Sequence, residues 1–149
     1  MNINDYLIAQ PGKDWVKLLS YWTPPLPPRF TLWLVNRLGD VFAVLETHAV
    51  IRLDVGRGNC EEIAGSREHF AQLLDADDNA DLWLRIRLVD ACRRAGMHLS
   101  PHECYGFRIP PTLGGQYEAS NLVPTHLAAH YSYQAYICKQ TDVYWIPPA

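Results

Sequence analysis

Six histidines, four cysteines and a run of acids near the middle of this 149-residue chain are the groups whose types and spacing could do chemistry. His98, His102 and Cys104 lie close in sequence, and His126 and His130 would share one face of a helix. Imidazole and thiolate at such spacings can hold zinc. The i, i+4 pair lacks the glutamate of H-E-x-x-H, because Leu127 follows His126, and no C-x-x-C pair anchors a structural site. Satisfied or surface histidines are therefore expected. A metal enzyme using His98, His102, Cys104, His126 and His130 stands as an alternative and needs at least three of them at one point. Asp75-x-Asp77-x-Asn79 copies the start of a calcium loop, but Ala80 fills the position that needs glycine and Ile86 the one that needs glutamate. The acids can cap the helix that follows, or they can form an acidic patch for a basic partner. Asp75, Asp77, Asp78 and Asp81 are the partner-facing candidates.

Other constellations fall short. Gly56-x-Gly58 lacks the third glycine of a dinucleotide loop, since position 61 is Glu, and it reads as a hairpin turn. No G-x-S-x-G is present, and Glu61 and Glu62 would point to opposite faces of a strand. No catalytic residue, no cofactor and no metal are expected. Thirteen Lys+Arg against 16 Asp+Glu give a net charge of −3, which argues against a protein that lives on phosphate contacts. The chain has few lysines, so tryptophans such as Trp15, Trp22, Trp33, Trp83 and Trp145 read as core and not as a base-stacking platform. The start shows no signal-peptide pattern, and no apolar run reaches the length of a membrane helix. The spread cysteines read as reduced, mostly buried thiols, and the expected location is the cytoplasm.

The elements that must position these groups follow from periodicity. Trp15, Leu18, Leu19 and Trp22 mark a short helix over residues 14–21 with Asp14 as its cap. The prolines at 24–28 end it. Residues 30–37, 41–46, 49–55 and 60–63 read as strands joined by brief turns, an antiparallel meander. Alternation of Val50, Arg52 and Asp54 with Ile51, Leu53 and Val55 suits a half-buried strand. Ser66 can cap a helix through Leu74. Residues 81–95 read as the longest helix, stopped by Gly96. Ser100-Pro101-His102-Glu103 matches a capping box but leads toward Gly106 and a double proline, so a turn is expected. Residues 105–109 are extended, and 127–138 form a last helix. Strands first and helices after predict one α+β domain over residues 1–149, with helices packed on one face of the sheet.

Three segments carry a family resemblance: residues 30–40 (FTLWLVNRLGD) leading to 53–56 (LDVG), 77–84 (DDNADLWL), and 104–117 (CYGFRIPPTLGGQY) followed by Asn121. Together they resemble a bacterial family matching the C-terminal domain of an immunity protein that neutralises a DNase toxin of type VI secretion. The resemblance extends over roughly residues 1–135 and is most specific in the third segment. It implies a SUKH-like α+β domain without catalytic residues, whose partner is a cognate toxin of the nuclease kind; from charge and apolar run length, neither nucleic acid nor a membrane is expected as a direct partner. The ending from Lys139 to Ala149 departs from the family pattern. In the third segment, prolines stiffen the path, glycines allow a turn closed to other residues, and aromatics anchor it, which is scaffold chemistry. A stand-alone module for a small ligand or peptide is the alternative function.

Overall fold

Four strands alternate apolar residues onto two faces. β1 (Thr31–Val35), β2 (Val41–Val44), β3 (Val50–Asp54) and β4 (Asn59–Ala64) pair in the order β1-β2-β3-β4, antiparallel throughout. The structure is a computed structural model that describes residues 2–141, so Trp145 and the Pro147-Pro148 pair lie outside the described residues. One sheet face presents Val41, Ala43, Ile51, Leu53 and Val55 to α5 (Leu127–Thr141). Helix α5 answers with Leu127, Tyr131, Ala135 and Cys138, the stripe that a 3.6-residue period brings together. Leu19 and Trp22 fill the same layer from the segment after α1 (Trp15–Leu18).

The opposite face presents Phe42, Val44 and Val50 to Phe70 of α2 (Arg67–Leu74) and Trp83 of α3 (Asn79–Leu84). Phe70 stacks on Trp83 with centroids 5.0 Å apart and meets Trp33 and Phe42 edge-on. The α+β class and the antiparallel meander are as expected. Helices on one face only is corrected: they cover both. The reason is that every residue of β2 and β3 is buried, Arg52 and Asp54 included, so neither face can be left to solvent.

The helix expected over residues 81–95 is also corrected. It breaks at Arg85, whose φ of 55° is left-handed, into α3 and α4 (Ile86–Arg94). The longest helix is α5. Helix ends otherwise follow their caps. Asp14 accepts from the Lys17 amide and Ser66 from the His69 amide, and Met97 donates to the Cys92 carbonyl beyond α4. At Ser100 the box closes without a helix: its amide donates to Glu103 Oε1 and its carbonyl accepts from the Glu103 amide.

A second sheet pairs β5 (Glu103–Phe107) with β6 (Leu122–His126), antiparallel. Pro124 hides β6 from periodicity reading; the ring is tolerated because β6 is an edge strand. Tyr105, Phe107 and Leu122 of this hairpin pack with Leu84, Val89 and Cys92. The N-terminal segment lies along β1: the Ile8 amide donates to the Val35 carbonyl at 2.8 Å and Gln10 Nε2 to the Trp33 carbonyl at 2.7 Å. Cys92, Cys104 and Cys138 are buried, Cys60 is half-buried, and none of the four is joined in a disulfide. Among the described residues no helix is long and apolar enough to cross a membrane.

His130 couples this core to pH. Its Nε2 sits 2.9 Å from the Leu38 carbonyl, and burial pushes its pKa down from 6.5 to about 4. Between those values the unfolded chain holds a proton that the fold does not. Stability is therefore full above about 6.5 and is lost as pH falls toward about 4, on the order of 3 kcal/mol in total. His130→Gln, which can still donate to Leu38, should flatten this part of the urea-unfolding profile measured from pH 7 to 4. An unchanged profile would refute the assignment.

Candidate functional site

The sequence places two carboxylates and a guanidinium where the sheet would otherwise be apolar. Asp40, Arg52 and Asp54 share the face that carries Phe42, by the register Phe42↔Arg52. All three are buried. Asn36 fixes the turn beneath them: its Oδ1 accepts from the Leu38 and Asp40 amides, and its Nδ2 donates to Asp40 Oδ2 and the Trp83 carbonyl, each at 2.9 Å. Asp40 Oδ1 accepts from the Val55 amide at 3.1 Å, and Asp54 Oδ1 from the Gly56 and Arg57 amides, both at 3.1 Å.

Two guanidinium groups balance the two carboxylates. Arg52 Nη2 lies 3.6 Å from Asp54 Oδ2. Arg85 reaches in from the α3–α4 break, with Nε 3.9 Å from Asp40 Oδ2 and Nη2 3.7 Å from Asp54 Oδ2. Tyr117 closes the cluster. The Arg85 guanidinium lies over its ring at 4.2 Å and Arg57 at 5.1 Å, both within cation–π range. Burial pushes the Asp54 carboxyl up, Asp40 adds to the rise, and Arg52 and Arg85 oppose it. Burial also raises the Tyr117 phenol. A side chain at Gly56 would collide with Tyr117 and Phe107, so only glycine lets that ring sit over the turn after β3.

Above this cluster opens a cavity of about 680 Å³ between the α3–α4 corner and the loop after Tyr117. Asp77, Asp78, Asp81 and Glu118 line it, over Arg85 and Tyr117. Three of the four acids singled out in the sequence thus meet at one rim. Asp75 is exposed at the end of α2, outside the cavity lining. Asp81 also does the bland job: its Oδ1 accepts from the Arg87 amide at 2.9 Å and so caps α4. The loop carrying Tyr117 is stiff. Asn121 bridges the Ile109 amide and carbonyl and the Gln116 carbonyl, each at 2.9 Å, and a Cβ at Gly115 would strike the Ile109 carbonyl.

The histidine candidates do not meet at one point. His102 and His126 stack with centroids 6.2 Å apart beside a separate cavity of about 470 Å³, walled also by Lys13, Lys17 and Tyr21. His126 Nδ1 accepts from the Ala128 amide. Cys104 lies in the core under α5, and its thiol is raised by burial. His130 faces Leu38. Among the described residues no group of three or more His, Cys, Asp or Glu could hold a metal ion. Arg52, Asp54, Arg85 and Tyr117 were not among the sequence candidates. The available signal was a pair of opposite charges two apart on one face of an otherwise apolar strand.

Comparison with known proteins bears on this half of the molecule. No curated protein matches the chain. The first resembling segment, residues 30–56, lies outside the stretch that a family model does match. Residues 64–135, running from the end of β4 into α5 and carrying Asp77, Asp78, Asp81, Arg85 and Tyr117, match the family described as T6SS immunity protein Tdi1, C-terminal, and over that stretch the resemblance to a type VI secretion immunity family is established.

Proposed function

We propose that the chain is a non-catalytic immunity protein that neutralises a cognate toxin, a nuclease, by covering it with the acidic rim of the α3–α4 corner. The observation that carries this reading is the convergence of Asp77, Asp78, Asp81 and Glu118 on one cavity within the stretch that matches the immunity family. Nucleases bind phosphate and carry basic surfaces, so an acidic rim steers and orients them. Asp75 extends the same charge beyond the cavity. On this reading residues 1–149 act as one domain, related to the wider SUKH-like superfamily, in the cytoplasm where an incoming toxin would act, and as the antidote of a toxin–antitoxin pair. The chain performs no bond-making; it presents a surface.

Co-expression with a type VI secretion nuclease toxin as candidate partner tests the proposal. The chain should restore growth, and a complex should elute from a sizing column. Changing Asp75, Asp77, Asp78 and Asp81 together to Asn keeps an acceptor for the Arg87 amide. It should slow association by about tenfold or more at low salt, with the gap closing as salt rises. Continued killing in the presence of the unmodified chain, with no complex, defeats the proposal for that pair.

A further inference from the structure

The α3–α4 corner holds its shape at one residue. Arg85 ends α3 and begins α4 with φ 55° and ψ 43°. That left-handed conformation costs a residue with a Cβ about 1–2 kcal/mol, and glycine or asparagine would take it more easily. An arginine held there must be kept for its side chain. Its guanidinium touches three things at once: Asp40 ahead of β2, Asp54 at the end of β3, and the Tyr117 ring. Asp40 and Asp54 lie outside the family-matched stretch, whereas Arg85 and Tyr117 lie inside it. One side chain therefore ties the sheet to both walls of the cavity, with Asp78 and Asp81 on the helix side and Glu118 next to Tyr117 on the loop side.

The contacts are not those of a cluster arranged for strength. Both Arg85 ion pairs exceed hydrogen-bond length, and its buried Nε has no hydrogen-bond partner; Arg52 Nε and Nη2 also lack hydrogen-bond partners. Buried charge groups of this kind are often no more stabilising than apolar residues of the same size. What they do supply here is a fixed distance between the two sides of the rim.

We propose that Arg85 is the positioning residue of the acidic cavity, setting the spacing of Asp78, Asp81 and Glu118 for a cationic segment of the partner; this rests on the toxin-binding reading above. Charge and position make opposite demands on it. As a positive charge on the cavity floor, Arg85 repels a basic ligand. As a tie, it holds the acids where such a ligand needs them. Arg87 lines the same cavity, is exposed, and serves the cap through its backbone amide only.

The test titrates a labelled hexa-arginine peptide against the unmodified chain, Arg85→Lys, Arg85→Met and Arg87→Met, following anisotropy at low salt. Thermal unfolding of each variant is recorded alongside. Arg85→Lys keeps the charge but loses the planar fork and the stacking on Tyr117. It should bind the peptide about tenfold more weakly, as expected when one member of a coupled network is removed. Arg85→Met should also bind more weakly, whereas Arg87→Met, which removes the same charge without cutting the tie, should bind more tightly. If Arg85→Met unfolds, Arg85→Lys carries the comparison. Equal binding by Arg85→Lys, or tighter binding by Arg85→Met, overturns the positioning role and leaves the toxin-binding reading intact. No binding by the unmodified chain means that the cavity takes no cationic segment and overturns the positioning proposal, while the toxin-binding reading is decided separately by the co-expression experiment.

Discussion

Replacing Asp40 by alanine should lower the free energy of unfolding by about 3–5 kcal/mol, the cost of leaving the buried partners of a deleted charge uncompensated. The Asp40 side chain is only 3% exposed. Its two oxygens satisfy Asn36 Nδ2 and the Val55 amide and face Arg85 Nε. Alanine removes all three contacts and gives water no easy route to replace them. It also leaves two guanidinium groups with a single carboxylate. Folded domains have a margin of only about 5–15 kcal/mol, so the variant should sit near its limit. Asp40→Asn keeps an acceptor for the Val55 amide and should lose less. Urea unfolding at pH 7 measures both. A loss below about 1 kcal/mol for the alanine variant would mean that the cluster is not energetically coupled.

Trp22→Ala should cost a similar amount, about 3–5 kcal/mol, by emptying the largest side chain from the layer between sheet and α5. Trp22 is fully buried, and its Nε1 donates to the Tyr131 carbonyl at 3.0 Å. The substitution leaves a cavity beside Leu19, Leu26 and Tyr131 and strips that carbonyl of a donor. Trp22→Phe should recover most of the volume but not the hydrogen bond. The result has a meaning beyond packing. Trp22 lies outside residues 64–135, yet it packs on α5, whose first part lies inside them. A loss of this size in a single cooperative transition would join the unmatched sheet and the matched helices into one folding unit. A small loss, or two transitions, would separate them.

Much of this was legible in the residues, and the failures have physical causes. The meander could be read because each strand alternates and each turn is short. Asp14, Ser66 and Gly96 announced helix ends through their own chemistry, which needs no tertiary information. Arg85 could not be read as a break, because nothing local forbids a helix there; the guanidinium's distant carboxylates hold the kink. Arg52 and Asp54 looked like a solvent face for the same reason. Alternation shows that two residues share a side but not whether a helix covers that side. The acids at 77, 78 and 81 were found by composition, whereas Glu118 and Tyr117, which complete the cavity, come from a loop some 40 positions away.

The segment that runs beside β1 has a further consequence. Its Ile8 amide and Gln10 side chain occupy the Val35 and Trp33 carbonyls that another extended chain could otherwise use. At the opposite margin of the sheet, β4 has no strand on its outer side among the described residues, and it carries exposed Glu61 and Glu62. One border is thus partly covered by the polypeptide itself and the other guarded by like charges. Copies of the chain can therefore accumulate without zipping together edge to edge.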